Sequence, residues 1–245
     1  MKIAQMKPYQ YLPILDQGEP LVPIPLDHFA VVTPHPYHAL GAPYGDRSPY
    51  WLRSAVLSAL TQAQSGLQQV YPGWRLQIFD AYRPIPVQQF MVEYAFAALA
   101  QQQGQDLASL TAPERDRLRL AVSEFWAVPS LDPATPPPHS TGAAIDLTLL
   151  DSAGNPVDMG SPIDELSVRS HPDHFATATH PSAQQAHRHR QILKHAMVAA
   201  GFQQHPKEWW HFSLGDQLWA WLVQAQTNQR VTARYGRVEA AIPPG

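Results

Sequence analysis

A chain of 245 residues with 44% hydrophobic and 15% charged side chains can bury a full core as one domain, and it is too apolar to be disordered. Its formal net charge of -3 offers no electrostatic attraction to nucleic acid or to an anionic membrane surface. The absence of cysteine excludes disulfides, thiolate nucleophiles and cysteine-ligated metal together.

The first eight residues, Met1 to Pro8, lack the unbroken apolar stretch of a secretory signal, and no window reaches the ~18 apolar residues of a membrane span. Cytoplasmic residence is the expectation. The 25 prolines are about twice the average share, which predicts long structured loops. Residues 1–49 are Pro- and His-rich and predict an extended N-terminal segment wrapped on a core over 50–245, the whole forming a single domain without repeats. Apolar residues at 52, 56, 57, 60 and 67 predict a helix, and Pro72-Gly73 ends it. Leu76-Gln-Ile-Phe-Asp80 alternates as a strand. Helices are predicted over 86–103, opening near Pro86, and over 112–127. The proline run at 133 and 136–138 cannot be helix or central strand, so it delivers His139 from a rigid loop. A turn at Gly142 leads into a strand over 143–150, with Asp146 on its small polar face and Ile145, Leu147 and Leu149 on the other. A helix over 182–200 stops at Gly201, a strand covers 209–214, and a last helix begins at Trp219 and Trp221. Helices and strands in this order predict an α+β fold, a central antiparallel sheet flanked by helices.

Two short segments stand out for their chemistry: His139-Ser-Thr-Gly-Ala-Ala-Ile-Asp146 and Glu208-Trp-Trp-His211. A carboxylate inside an apolar strand is costly unless it is paired or metal-bound. His139, Asp146 and His211 make a three-ligand set with nitrogen and oxygen donors, and Glu208 is a free carboxylate three residues before the last ligand. Three protein ligands, an open position for water and a nearby base are what a hydrolytic zinc site requires. One zinc ion per chain is the expected cofactor.

These segments, with Asp80-Ala-Tyr-Arg-Pro84, Met159-Gly-Ser161 and Asp164, and Arg169-Ser-His171, make the chain resemble the D-alanyl-D-alanine dipeptidase family of zinc metallopeptidases. That family is related to the D,D-carboxypeptidases and the Hedgehog amino-terminal domain, and the likeness spans residues 75–214. The resemblance implies zinc on His139, Asp146 and His211, and Glu208 as general base. It implies Arg83 as the group that stabilises the oxyanion, while a buried structural Arg paired with Asp80 is the competing reading. Asp164 would receive the substrate's ammonium, or else cap a helix in a Pro-rich loop. Ser140 and Tyr82 are candidate pocket residues, and His171 a candidate for orienting a loop or ligand.

In one place the chain departs from the family. Pro137 stands where the family usually has Ser, so neither a hydroxyl nor a backbone N–H is offered there. Thr141 stands where some relatives carry a basic residue. Both bear on substrate preference and leave the metal chemistry intact. The expected activity is hydrolysis of D-alanyl-D-alanine to two D-alanines. The alternatives are a D,D-carboxypeptidase or endopeptidase acting on peptidoglycan, and a non-catalytic zinc-fold binding module.

Overall fold

The computed structural model describes residues 7–238, so the reading of the first residues as lacking a secretory signal falls, for positions 1–6, outside the described residues. A 3-10 turn, Pro8–Tyr11, opens the described chain. β1 (Leu21–Pro23) pairs antiparallel with β3 (Trp51–Arg53) in a small separate ribbon. Between them lie β2 (Ala30–Val31) and the single-turn α1 (Pro36–Ala39). The extended N-terminal segment therefore contains short elements of its own.

The main sheet has five strands in the order β2-β4-β5-β7-β6. Its centre is β4 (Arg75–Asp80), β5 (Ala144–Leu150) and β7 (His211–Ser213), with β6 (Gln203–Gln204) at one edge, all antiparallel. β2 joins β4 in parallel at the other edge, so the sheet is antiparallel with one parallel edge strand.

α2 (Ser54–Val70) and α5 (Pro181–Ala199) cover one face of the sheet. Val56, Leu60 and Leu67 of α2 and Leu193 and Met197 of α5 pack on Leu76, Ile78, Ile145, Leu147, Leu149 and Phe212. The period-2 pattern of β5 sends its aliphatic side chains into this core and leaves Ala144, Asp146 and Thr148 for the opposite face. A second cluster forms between α3 (Ile85–Gln102) and α4 (Ala112–Phe125), where Val87, Met91, Phe96, Leu118 and Val122 meet Tyr37, Tyr44 and Trp126. α6 (Gln217–Thr227), capped by Asp216, closes the described chain against the N-terminal 3-10 turn.

β4 departs from simple alternation. Its register with β5 shifts between Ile78 and Asp80, so Phe79 is an extra residue and Asp80 lies directly opposite Asp146. Strict alternation would have sent Asp80 into the core with Leu76 and Ile78. The bulge re-aims it to the face that carries Asp146.

Candidate metal centre

Three segments bring the ligand set together. Asp146 and His211 are cross-strand partners on β5 and β7, so their side chains leave the sheet on the same side. His139 sits in a 3-10 turn, Pro138–Thr141, which ends at Gly142 in a left-handed conformation with φ 69°. A side chain at that position would strain the backbone and run into Leu21. The turn at Gly142 is what lets a residue seven positions before Asp146 point to the same place.

One donor atom from each of His139, Asp146 and His211 lies within 4.8 Å of the other two, and all three residues are buried. His139 Nε2 is 3.1 Å from His211 Nδ1 and 3.2 Å from Asp146 Oδ2, and His211 Nδ1 is 3.0 Å from Asp146 Oδ1. The other ring nitrogens are already engaged. His139 Nδ1 donates to the Ala81 carbonyl at 2.7 Å. His211 Nε2 donates to Ser213 Oγ at 3.3 Å, and that hydroxyl donates onward to Asp216 Oδ2 at 2.8 Å. With each neutral imidazole's proton assigned in this way, two imidazole nitrogens and the two Asp146 oxygens, all bearing lone pairs, face one another with no hydrogen between them. A cation resolves that contact. Tetrahedral zinc with bonds of ~2.0–2.1 Å places its ligand atoms roughly 3.3 Å apart, close to the separations observed. The residues fit the ion.

Arg83 is a buried arginine paired with Asp80, as the competing reading expected. Nε donates to Asp80 Oδ2 at 2.9 Å, Nη1 to Gln88 Oε1 at 3.0 Å, and Nη2 to Tyr37 Oη and Asp146 Oδ2 at 3.2 Å. Its guanidinium lies over the rings of Tyr37 and Trp126, at 4.9 and 5.0 Å from their centroids. Arg83 nevertheless lines the cavity, held in place by Asp80 and Gln88. Burial works against ionisation of Asp80, but Arg83 beside it and the His35 hydrogen bond hold its carboxyl below the usual range. Asp146 behaves alike: His139 and His211 outweigh burial and keep it far down.

Glu208 precedes β7 and is buried, with Oε2 3.8 Å from His211 Nδ1. Burial and the neighbouring Asp146 charge push its carboxyl well above the ordinary glutamate value. Its position depends on the Met159-Gly-Ser161 segment. Ser161 Oγ accepts from Trp209 Nε1 at 3.1 Å and from Arg190 Nη2 at 3.0 Å, which anchors the tryptophan next to Glu208. Arg190 also donates to the carbonyl of His171, so that residue is tied into the same anchor through its backbone.

Asp164 also lines the cavity. It adopts φ 65°, accepts from Tyr37 Oη at 2.9 Å and is not a helix cap. Burial and the Asp146 charge push its carboxyl up to about 7. Among the described residues no cation forms an ion pair with it. Ser140 and Tyr82 lie elsewhere: Ser140 Oγ donates to the Arg83 carbonyl at 2.7 Å, and neither residue is among those lining the cavity. Thr141 Oγ1 bonds the Pro138 carbonyl at 2.6 Å and braces the turn.

Three titratable lining residues, His205, Lys7 and Tyr9, escaped sequence reasoning. His205 is 3.4 Å through Nδ1 from Glu208 Oε1, and burial with the adjacent His211 lowers its pKa well below normal, so it is neutral. Its signal was the even spacing of His205, Glu208 and His211. Lys7 and Tyr9 come from the N-terminal segment, some two hundred residues away in sequence, and left no local sign.

A buried His/Asp/His set with a carboxylate of raised pKa beside it, on the open face of an α+β sheet, defines a hydrolytic metalloenzyme of the peptidase class. The model of the D-ala-D-ala dipeptidase family matches residues 31–232, and the chain belongs to that family. Peptidases of the family are zinc-dependent, and the chain is a metallopeptidase. It is 49% identical to the D-alanyl-D-alanine dipeptidase of Synechocystis sp. over 241 residues, covering 96% of this chain and 98% of that one. The D-alanyl-D-alanine dipeptidase of Escherichia coli is 34% identical over 164 residues, covering 66% of each. Among solved structures, the vancomycin resistance D,D-pentapeptidase VanY in complex with Zn(II) aligns with TM-score 0.43 and 13% identity, covering 85% of this chain and 90% of that one. No helix among the described residues is long and apolar enough to cross a membrane.

Proposed function

We propose that this chain hydrolyses D-alanyl-D-alanine to two molecules of D-alanine, consuming one water. The observation that carries the preference for a free dipeptide is Asp164, a carboxylate lining the metal cavity without a cation partner among the described residues. An α-ammonium supplies that partner, whereas the amide of a longer peptide brings no charge to neutralise it.

His139, Asp146 and His211 would hold the zinc ion, which when bound would supply Lewis-acid polarisation and acidify water. Glu208, placed beside the ligand His211, accepts the proton of the attacking water and passes it to the nitrogen of the departing D-alanine. Arg83 faces the scissile carbonyl as its oxygen gains negative charge, an electrostatic contribution of roughly 3 kcal/mol in comparable sites. Asp80 and Gln88 spend two of the guanidinium's faces on orientation, which leaves less reorganisation to the reaction itself. Asp164 binds the ammonium. Cytoplasmic residence belongs to the same reading, in keeping with a cysteine-free chain that needs no oxidising compartment.

The test compares D-Ala-D-Ala with an N-acetylated tripeptide ending in D-Ala-D-Ala. The dipeptide is hydrolysed and the blocked substrate is not; comparable kcat/KM for both would sink the dipeptidase reading. Glu208→Ala should retain one zinc per chain while losing about 10²–10⁴-fold in turnover. His139→Ala should lose stoichiometric zinc. Equal rates for the wild type and Glu208→Ala would exclude catalysis by this site.

A further inference from the structure

The described cavity is lined by three carboxylates, Asp146, Asp164 and Glu208, and by two basic side chains, Arg83 and Lys7, the latter with its pKa lowered by burial. Arg83 is committed to Asp80, Asp146, Gln88 and Tyr37. Lys7 is not committed. Among the described residues no carboxylate lies within ion-pairing distance of its ammonium, although the side chain is half-buried against the cavity. Its backbone is tied to Gln10, Lys7 N donating to Gln10 Oε1 at 2.8 Å and the Lys7 carbonyl accepting from Gln10 N at 2.9 Å.

A zwitterionic dipeptide carries an ammonium at one end and a carboxylate at the other, and the same cavity that presents Asp164 and Glu208 also presents Lys7. The loop before His139 gives no donor for the carboxylate end, because it meets the cavity with Pro138, which has no N–H, and is preceded by Pro137, which has none either. Gln88 spends its amide on the Ala127 carbonyl at 2.7 Å.

We propose that Lys7 is the residue that receives the C-terminal carboxylate of the substrate, so that the N-terminal strap completes the specificity pocket. Tyr9 stands beside it on the same strap. Its phenol is kept protonated by burial and by the Asp216 and Glu208 charges, which leaves a neutral O–H donor next to the ammonium. The strap is held in place by Gln217, whose Nε2 donates to the carbonyls of Leu12 at 2.7 Å and Ala134 at 2.9 Å. Both residues precede the stretch matched by the family model, so this half of the pocket is built by the chain outside it.

This inference rests on the dipeptidase reading, and the experiment separates the two. Zinc-loaded wild type, Lys7→Met and Lys7→Arg are assayed on D-Ala-D-Ala and on D-Ala-D-alaninamide, in which the carboxylate is replaced by a neutral amide. A charge-assisted hydrogen bond of this kind is worth about 10- to 100-fold in binding. The wild type should prefer the free acid, and Lys7→Met should lose that preference by about the same factor, mainly through KM. Lys7→Arg should keep most of it. Zinc content and melting temperature are measured alongside for each variant. If Lys7→Met depresses both substrates equally, with selectivity as in the wild type, Lys7 acts through Glu208 or through the fold and the proposal is overturned. If the wild type hydrolyses neither substrate, the dipeptidase reading falls and takes this inference with it.

Discussion

Asp164 sits among other carboxylates, and burial with the Asp146 charge raises its pKa to about 7. An acid whose folded pKa exceeds its unfolded value of about 3.9 binds more protons folded than unfolded between the two. Stability therefore falls as pH rises through that window, from about 4 to about 7. Asp164→Asn should then stabilise the metal-free protein at pH 8 by on the order of 2 kcal/mol once solvent access is discounted, roughly 5 °C in melting temperature, and by almost nothing at pH 4. A shift of the same size at both pH values would sink this account. Ser213 carries a second residue-scale expectation. It links His211 Nε2 to Asp216 and so fixes which imidazole nitrogen faces the metal. Ser213→Ala should weaken zinc by about 10- to 100-fold in chelator competition, with every ligand still present. Unchanged affinity would show that the tautomer is set by something else.

At the scale of elements, the site is made by two local deviations from regular structure. The 3-10 turn ending at Gly142 swings His139 back over β5, and the bulge in β4 turns Asp80 out of the core toward Arg83. Gly142→Ala would strain a left-handed backbone and collide with Leu21. The expected cost is about 1–3 kcal/mol, visible as a lower melting temperature together with weaker zinc binding. Stability within error of wild type would contradict the requirement for glycine. Alternation in Leu76 to Asp80 made the strand legible in the sequence but concealed the bulge, because a period of two assigns Asp80 to the core side. The helices were more nearly as expected: the predicted 86–103, 112–127 and 182–200 correspond to Ile85–Gln102, Ala112–Phe125 and Pro181–Ala199. Their ends are marked by Pro at the first turn and by caps, which are local signals.

At the scale of the whole molecule, the N-terminal strap and α6 hold each other across the full length of the chain. Gln217 reaches the carbonyls of Leu12 and Ala134, so one side chain ties the strap to both α6 and the Pro-rich loop that carries His139. Gln217→Ala should speed proteolytic cleavage within the first twenty or so residues and lower stability by about 1–2 kcal/mol, while one zinc per chain is retained. Proteolysis at the wild-type rate would mean that the strap is held by other contacts.

The candidate metal site was determined by the sequence itself. His139, Asp146, Glu208 and His211 were legible as a group because a turn before a strand, an acid on an apolar strand and a carboxylate three residues before a histidine each leave a short-range trace. Arg83 was legible as a residue, and only the tertiary structure gave its contacts with Asp80 and Asp146 and its place at the cavity. The surroundings were decided by the tertiary structure alone. His205, Tyr9 and Lys7 reach the cavity, and Ser140 and Tyr82 do not line it, because that depends on how distant segments close over one face of the sheet. Ligand spacing is a local property of the chain. The shape and charge of the pocket around the ligands arise from long-range packing, which no periodicity records.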